Sequence, residues 1–410
     1  MNLTKKRWLI LLASCVINLC IGSMYAWSVF ASPMAEHLAV VTGTTLTAAS
    51  LAIVFTIANG VGPITMISGG RINDRLGPRW VVFAGGILFG AGMITSGFAR
   101  SVPLLTICYG LGCGLGMGLV YGCTVGNSVK FFPDKRGLIG GITTATYGLS
   151  SVLIPPVANA LIYAYGVTAA FKILGIAFMA TICACSFLIQ PCPPDFRPEG
   201  WELPQMAAGK QDDADWKQML SDPIFYIMLL MLTCSAVSGL MTISQASAIA
   251  QNMVGMTTAA ATMVVSILAL FNVTGRVAAG WMSDRIGRIN TLRCALGLSI
   301  VGLFLLSMAG VGKEVQFYIG ISIVGLCFGS IMGVYPGFTA DQFGAKNNSV
   351  NYGIMFVGFA AAGLLGPILM SRLLASTGAY TSAFLVAAVL SVAGLGFSVA
   401  WQITAAKRSK

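Results

Sequence analysis

Charge is what this sequence is shortest of. Acidic and basic residues make up 9% of 410 residues, against roughly a quarter in an ordinary soluble protein, while hydrophobic types reach 56% and the mean hydropathy is +0.83. A water-facing surface cannot be built from that composition, which excludes cytosolic enzymes, nucleic-acid binders and secreted domains. Histidine is nearly absent, His37 standing alone, and no CxxC pair occurs. A metal, haem or iron–sulfur centre therefore has almost no ligand set, and no cofactor is expected. A GxxxxGK[ST] phosphate loop is missing too, which argues against an ATP-driven pump in this chain. Acids number thirteen, all in loops or at the ends of apolar runs, so no mid-membrane carboxylate is available as an obvious proton relay. Eleven cysteines would make a disulfide framework in a short secreted chain. Here nine of them, such as Cys15, Cys113 and Cys327, lie inside apolar runs and read as small packing residues.

What the chain has in abundance is long apolar runs. A membrane-spanning helix needs about 20 such residues. Twelve stretches qualify, at about 8–30, 45–68, 79–99, 102–127, 137–161, 168–190, 223–249, 257–282, 290–310, 316–338, 349–374 and 379–402. The first follows Lys5, Lys6 and Arg7 but is too long for a signal peptide, so it reads as a retained span. Despite a net charge of +11, the basic residues sit in short clusters between runs. Alternate loops carry nineteen lysines and arginines on one side and four (Arg100, Lys172, Lys313, Arg372) on the other. The positive-inside rule then puts both termini and the longest loop in the cytoplasm, with a bacterial inner membrane as the expected location and the lipid bilayer as the surrounding partner. That loop, 191–222, holds Pro191, Pro193, Pro194 and Pro198, has six of the thirteen acids between Asp195 and Asp215, including Asp213, and reads as a solvated linker that also contains Lys210. It divides the chain into a half at 1–190 and a half at 223–410.

The halves repeat. Gly70-Arg-Ile-Asn-Asp74-Arg75-Leu-Gly77 follows the second run and Gly280-Trp-Met-Ser-Asp284-Arg285-Ile-Gly287 follows the eighth, 210 residues on. Phe132-Pro-Asp-Lys135 is echoed by Phe343-Gly-Ala-Lys346. This duplicated segment resembles the signature of the major facilitator superfamily. The resemblance covers essentially the whole chain and implies an all-α integral membrane fold of twelve helices in two six-helix halves. Asp74, Arg75, Asp284 and Arg285 at helix ends could latch one side of the bundle through ion pairs or a neighbouring helix N-terminus, a gating role. Two narrower likenesses follow. Gly22-Ser-Met-Tyr25-Ala-Trp27 and Phe131-Phe-Pro-Asp-Lys135-Arg136-Gly resemble segments of monocarboxylate transporters, and the second, with Asn351-Tyr352-Gly353, is similar to bacterial oxalate/formate antiporters.

One basic residue lies inside a run away from its ends. Arg276 in the eighth span costs about 2.5–3.5 kcal/mol to insert and therefore needs a reason. It either snorkels roughly 10 Å to the interface or serves a polar cavity. Thr262, Ser266, Ala269, Asn272, Arg276 and Ala279 recur at helical spacing as a small and polar stripe, with Met263, Val264, Ile267, Leu270 and Phe271 opposite. The stripe favours the cavity, where a guanidinium offers a planar fork to a carboxylate. Both resembled families imply a substrate-anion arginine here, and the antiporter likeness implies a site tyrosine at Tyr121.

Two departures narrow the substrate. Those antiporters carry a lysine where this chain has Phe359, so a dianion would meet a single buried cation. Proton-coupled monocarboxylate transporters often carry an aspartate where this chain has Asn272. Tyr25, Tyr147 and Tyr335 complete the candidate binding residues, beside polar sectors at Ser14 and Asn18, at Thr124 and Ser128, at Thr143 and Ser150, and at Ser235, Ser238 and Thr242; Pro336 is expected to break span ten. Seven glycines between Gly110 and Gly126 allow close packing in span four. The resulting expectation is a secondary carrier with one anion site near mid-membrane between the halves. It would move lactate-, pyruvate- or formate-type monocarboxylates by alternating access, with a proton or by anion exchange. An oxalate/formate antiporter is the alternative. A transporter-like membrane sensor is the alternative of another class, expected to add a soluble domain these 410 residues do not contain.

Overall fold

A computed structural model of the chain describes residues 2–194, 196–201 and 213–408. Asp195, Lys210, Lys410 and the middle of the linker, 202–212, lie outside the described residues. Among those described there is no strand, and twelve helical stretches are long and apolar enough to cross a membrane. Helix is the answer such sequences are driven to, because in hydrocarbon each backbone donor and acceptor must be satisfied within its own segment.

In chain order the elements are α1 (Leu3–Ile21), a 3₁₀ segment (Gly22–Ala26), α2 (Trp27–Thr42), α3 (Ala52–Leu76), α4 (Pro78–Ser96), α5 (Val102–Leu105), a π-helical segment (Thr106–Cys113), α6 (Gly114–Phe131), α7 (Arg136–Tyr165) and α8 (Val167–Ser186). After the linker come α9 (Trp216–Leu220), α10 (Pro223–Ser244), α11 (Ala246–Asn252), α12 (Thr258–Ile286), α13 (Arg288–Ser307), α14 (Glu314–Phe343), α15 (Asn348–Met355), α16 (Val357–Thr377) and α17 (Tyr380–Arg408). The repeated turn has one physical cause in both halves. Gly77 (φ 88°) and Gly287 (φ 87°) each form a one-residue joint, α3 to α4 and α12 to α13, in the left-handed region that disfavours any side chain.

Several spans differ from the sequence expectation. The first extends from Leu3 to Thr42 and changes pitch at Gly22–Ala26, where a Cβ on Gly22 would overlap the Tyr147 carbonyl. Span eleven is not continuous: α15 ends at Met355 and α16 begins at Val357. Span ten, conversely, is not broken. Pro336 lies within the uninterrupted α14, because a proline removes one hydrogen bond and neighbouring turns can carry the helix through.

The chain clusters into two compact units. One is Met1–Asp134 with Thr146–Asp213 and Phe343–Ile354; the other is Lys135–Ala145 with Ala214–Gln342 and Met355–Lys410. The start of α7 thus belongs with the second unit and α15 with the first.

Each unit is built on a glycine seam that the sequence reading noticed only in part. Gly114, Gly118, Gly122 and Gly126 of α6 recur 211 residues later as Gly325, Gly329, Gly333 and Gly337 of α14. In the first unit, side chains at Gly114 and Gly118 would overlap the carbonyls of Ala58 and Gly62 in α3, and Gly122 lies against Met66. In the second unit Gly325, Gly329 and Gly333 meet the carbonyls of Leu268, Asn272 and Arg276 in α12. A third helix closes each seam: Gly353 of α15 packs on the Met66 backbone, and Gly141 of α7 on that of Arg276. Backbone-to-backbone contact at this range is what small-xxx-small spacing provides in a membrane, where packing replaces the hydrophobic driving force.

The face of α12 differs from the stripe read in sequence. Val264, assigned to the opposite side, is fully buried, whereas Thr262 and Ser266 are exposed and return their hydroxyls to their own helix at Thr258 and Thr262. The buried positions Ala261, Val264, Leu268, Gly275 and Ala279 include the face that Gly325 and Gly329 approach. All eleven cysteines are free. In the stretch after α8, burial pushes the Cys192 thiol up to about 12, with Lys130 opposing, so it is protonated at neutral pH.

Candidate functional site

The second unit holds its cation at the middle of the seam. Arg276 is 3% exposed. Its Nε donates to Asn272 Oδ1 at 2.9 Å, one helical turn back, and its Nη1 donates to the Thr144 carbonyl of α7 at 2.7 Å. The side chain therefore leans toward the N-terminal end of α12, away from Asp284, which is the direction long helical side chains take and the reverse of snorkelling to that end. Among the described residues no acid forms an ion pair with it. Two neutral acceptors take two of its five N–H groups, and Nη2 meets no acceptor among the described residues. Hydrogen bonds to a charged group contribute about 1.5–3 kcal/mol each, while burying an unpaired ion costs several kcal/mol. Electrostatically the guanidinium is held in place but not neutralised. Thr144 was not among the sequence candidates, because a backbone carbonyl leaves no residue-type signal.

Phe359 stands in the same unit, at the start of α16, in a ring cluster with Phe356 (centroids 4.6 Å apart) and Phe328 (6.3 Å). That position is surrounded by aromatic rings. Tyr335 is 1% exposed and its hydroxyl donates to the Met228 carbonyl of α10 at 2.9 Å, so it closes a helix pair and reaches no ligand without breaking that bond. The span-seven hydroxyls are also spent inside the unit: Ser235 bonds Met231, and Ser238 bonds Ser391 of α17.

In the first unit, the remaining tyrosines come together. The Tyr147 ring lies 4.9 Å from that of Tyr121 and 5.1 Å from that of Tyr25, at steep interplanar angles suited to edge-to-face contact. Thr124 is bonded to Asn18 at 2.7 Å, tying α6 to α1. Ser150, close to Gly22, and Ser14 are buried with no hydrogen-bond partner for their hydroxyls among the described residues.

The paired aspartates occupy equivalent places. Asp284 accepts the backbone N–H groups of Gly137 and Leu138 at the start of α7, both at 2.8 Å, and pairs with Arg288 at 2.7 Å. Asp341 then bridges Arg136 and Arg288. Asp74 accepts the N–H of Val350 in the first turn of α15 at 3.3 Å and pairs with Lys130 at 2.6 Å, while Asn73 bonds Ser349. Each carboxylate thus sits at a helix N-terminus, where its charge meets the positive end of the dipole. Arg75 and Arg285 are not in these networks. Arg75 is exposed, and Arg285 lies 3.8 Å over the Trp281 ring. Lys130, Arg136 and Arg288, the cations of these networks, were not among the candidate gating residues.

Comparison with known proteins agrees with this architecture. The oxalate:formate antiporter of Oxalobacter formigenes is 30% identical over 398 residues, covering 95% of this chain and 90% of the relative. Monocarboxylate transporter 12 of Xenopus laevis is 26% identical over 345 residues, covering 77% and 72%. Among solved structures the proton:xylose symporter XylE matches with a TM-score of 0.73 at 16% identity over 97% of this chain and 96% of that one, a likeness of fold alone. The model of the Major Facilitator Superfamily matches residues 12–367 and 246–410. With twelve candidate spans, a duplicated D-R-x-G turn and a family match across nearly its whole length, the chain is a membrane transporter belonging to the major facilitator superfamily.

Proposed function

We propose that this transporter is a secondary carrier of small monocarboxylate anions of the lactate, pyruvate or formate kind, with Arg276 binding the carboxylate. The observation that carries the reading is a buried arginine whose partners, Asn272 and Thr144, are both neutral. A carboxylate meeting the open edge of the fork would supply the missing charge through two parallel N–H···O bonds. Asp74 and Asp284 gate the carrier from the end that the lysine and arginine distribution assigns to the cytoplasm, by holding the first turns of α15 and α7.

Coupling by anion exchange is favoured over proton symport. No acid pairs with Arg276 among the described residues, and Asp341 is engaged with two arginines. An empty site then carries an uncompensated buried charge, which makes crossing easiest with an anion bound. The test is uptake of labelled lactate, formate and oxalate by purified protein in liposomes, with and without internal anion and with and without an inward proton gradient. Exchange gives uptake only when anion is loaded inside. Gradient-driven accumulation in empty liposomes would overturn it.

A second reading, oxalate/formate exchange, is favoured by the 30% identity to the Oxalobacter antiporter. Against it stands Phe359, in its ring cluster, where a second cation would be needed. Phe359→Lys should raise oxalate uptake relative to lactate by about tenfold, equivalent to roughly 1.4 kcal/mol of added attraction. Avid oxalate uptake by the unmodified chain would favour the second reading.

A further inference from the structure

The last turns of α3 and of α12 are equivalent in the repeat, yet they present different exposed faces. On α3, Arg71, Ile72, Arg75 and Leu76 are all exposed, Leu76 at 77%, while Gly69, Gly70 and Asn73 are buried. At spacings of one, three and one residue, the four exposed positions form one sector of the helix. Across the one-residue joint at Gly77, Trp80 is 62% exposed and Arg79 is fixed by bonds from Nε to the Ile189 carbonyl and from Nη2 to the Phe187 carbonyl, both 3.3 Å. Trp80, Phe83 and Phe187 form a three-ring platform with centroid separations of 5.6–6.4 Å. The only acid on this turn, Asp74, faces inward to Lys130. At the joint of α12 and α13 the equivalents of Arg71 and Arg79 are Trp281 and Ile289, and the single exposed cation, Arg285, is stacked on Trp281. The second unit therefore offers one occupied charge where the first offers two arginines outside any ion pair among the described residues, with a third beside them.

A one-residue joint between two apolar helices cannot project far from the bilayer, so this patch lies at the interfacial level where tryptophan is favoured. We propose that Arg71 and Arg75, with Arg79 and Trp80 beside them, form a binding surface for the phosphodiester headgroup of an anionic phospholipid, its chains running along Ile72 and Leu76. Guanidinium groups suit a phosphodiester geometrically, and the exposed aliphatic residues between them suit acyl chains. An acidic protein partner would leave Ile72 and Leu76 without a matching apolar surface.

The proposal is independent of what the carrier transports. Its test is native mass spectrometry of the purified full chain from micelles containing equal phosphatidylglycerol and phosphatidylcholine. Wild type should retain phosphatidylglycerol preferentially, with and without excess inorganic phosphate. Arg71→Gln with Arg75→Gln should cut that preference by about thirtyfold, given the usual attraction per basic residue at a charged membrane surface. Arg285→Gln should leave it unchanged, and the doubly lysine-substituted Arg71→Lys, Arg75→Lys chain should keep most of it. If the glutamine pair fails to fold, the single variants Arg71→Gln and Arg75→Gln should each cut the preference by about fivefold, and an unchanged ratio in both would equally overturn the proposal. No preference in wild type, an unchanged ratio in the glutamine pair, or displacement by inorganic phosphate would overturn the proposal.

Discussion

Two seams of the same design carry different side chains at their midpoint. In the first unit α3, α6 and α15 meet around Met66, fully buried between Gly122 and Gly353. In the second, α12, α14 and the start of α7 meet around Arg276, held between Gly333 and Gly141. The glycines, the aspartate one or two turns on and the helix N-terminus it holds all repeat. The cation does not. The backbone frame is present twice, and only the second copy places a charge at its midpoint, bonded to the Thr144 carbonyl. On the proposed reading the seam is structure and the arginine is function, and the two can be separated experimentally.

The largest effect should come from breaking the frame. Gly329→Leu and its counterpart Gly118→Leu each drive a side chain into a neighbouring helix carbonyl, and each should cost about 3 kcal/mol, the upper end for overpacking, seen as a lowered thermal unfolding midpoint in detergent. Gly297→Leu, which meets nothing within 4 Å, should leave the midpoint unchanged. If one seam tolerates leucine and the other does not, the equivalence drawn between them is wrong.

Next in size is the support of the arginine. Asn272→Ala removes one charge-assisted bond, worth about 1.5–3 kcal/mol, and should weaken anion affinity by roughly ten- to a hundredfold with a much smaller change in maximal rate. Asn272→Asp should keep the bond but offer Arg276 an internal counter-ion. Its transport should recover as pH falls and the new carboxyl is protonated, a dependence that a purely structural role for Asn272 would not produce.

The aspartates give the smallest contrast. Asp284 accepts two backbone N–H groups and Asp74 one, so Asp284→Asn should slow turnover more than Asp74→Asn, by several-fold, with little effect on affinity in either. Equal rates for both variants and wild type would reduce the duplicated turns to topogenic loops.

How much of this was legible beforehand follows from what kind of interaction each part uses. The twelve spans, the repeat and the isolation of Arg276 are written in residue type: apolar runs, a glycine turn and a lone charge. The pairing of Asp74 and Asp284 with a basic group and a neighbouring helix N-terminus followed from their position at helix ends. What stayed hidden depends on backbone atoms or on mutual distance. The Thr144 carbonyl has no sequence mark. The regular glycine spacing of α14 is diluted among larger residues, whereas glycine is denser in α6. Val264 was assigned to the wrong face because the stripe was drawn through polarity, whereas α12 buries the side that α14's glycines approach. Tyr335 stood beside Tyr121 as a candidate of the same residue type, and only distances separate a tyrosine bonded to Met228 from one set against Tyr147.

The central claim is that the charge of Arg276, and not the seam that holds it, creates the anion site. It is tested most directly by isothermal titration of lactate and formate into purified wild type, Arg276→Gln and Met66→Gln. The account predicts binding in wild type and Met66→Gln, and none measurable in an Arg276→Gln protein whose unfolding midpoint is unchanged. Binding by Arg276→Gln within a few-fold of wild type would contradict it.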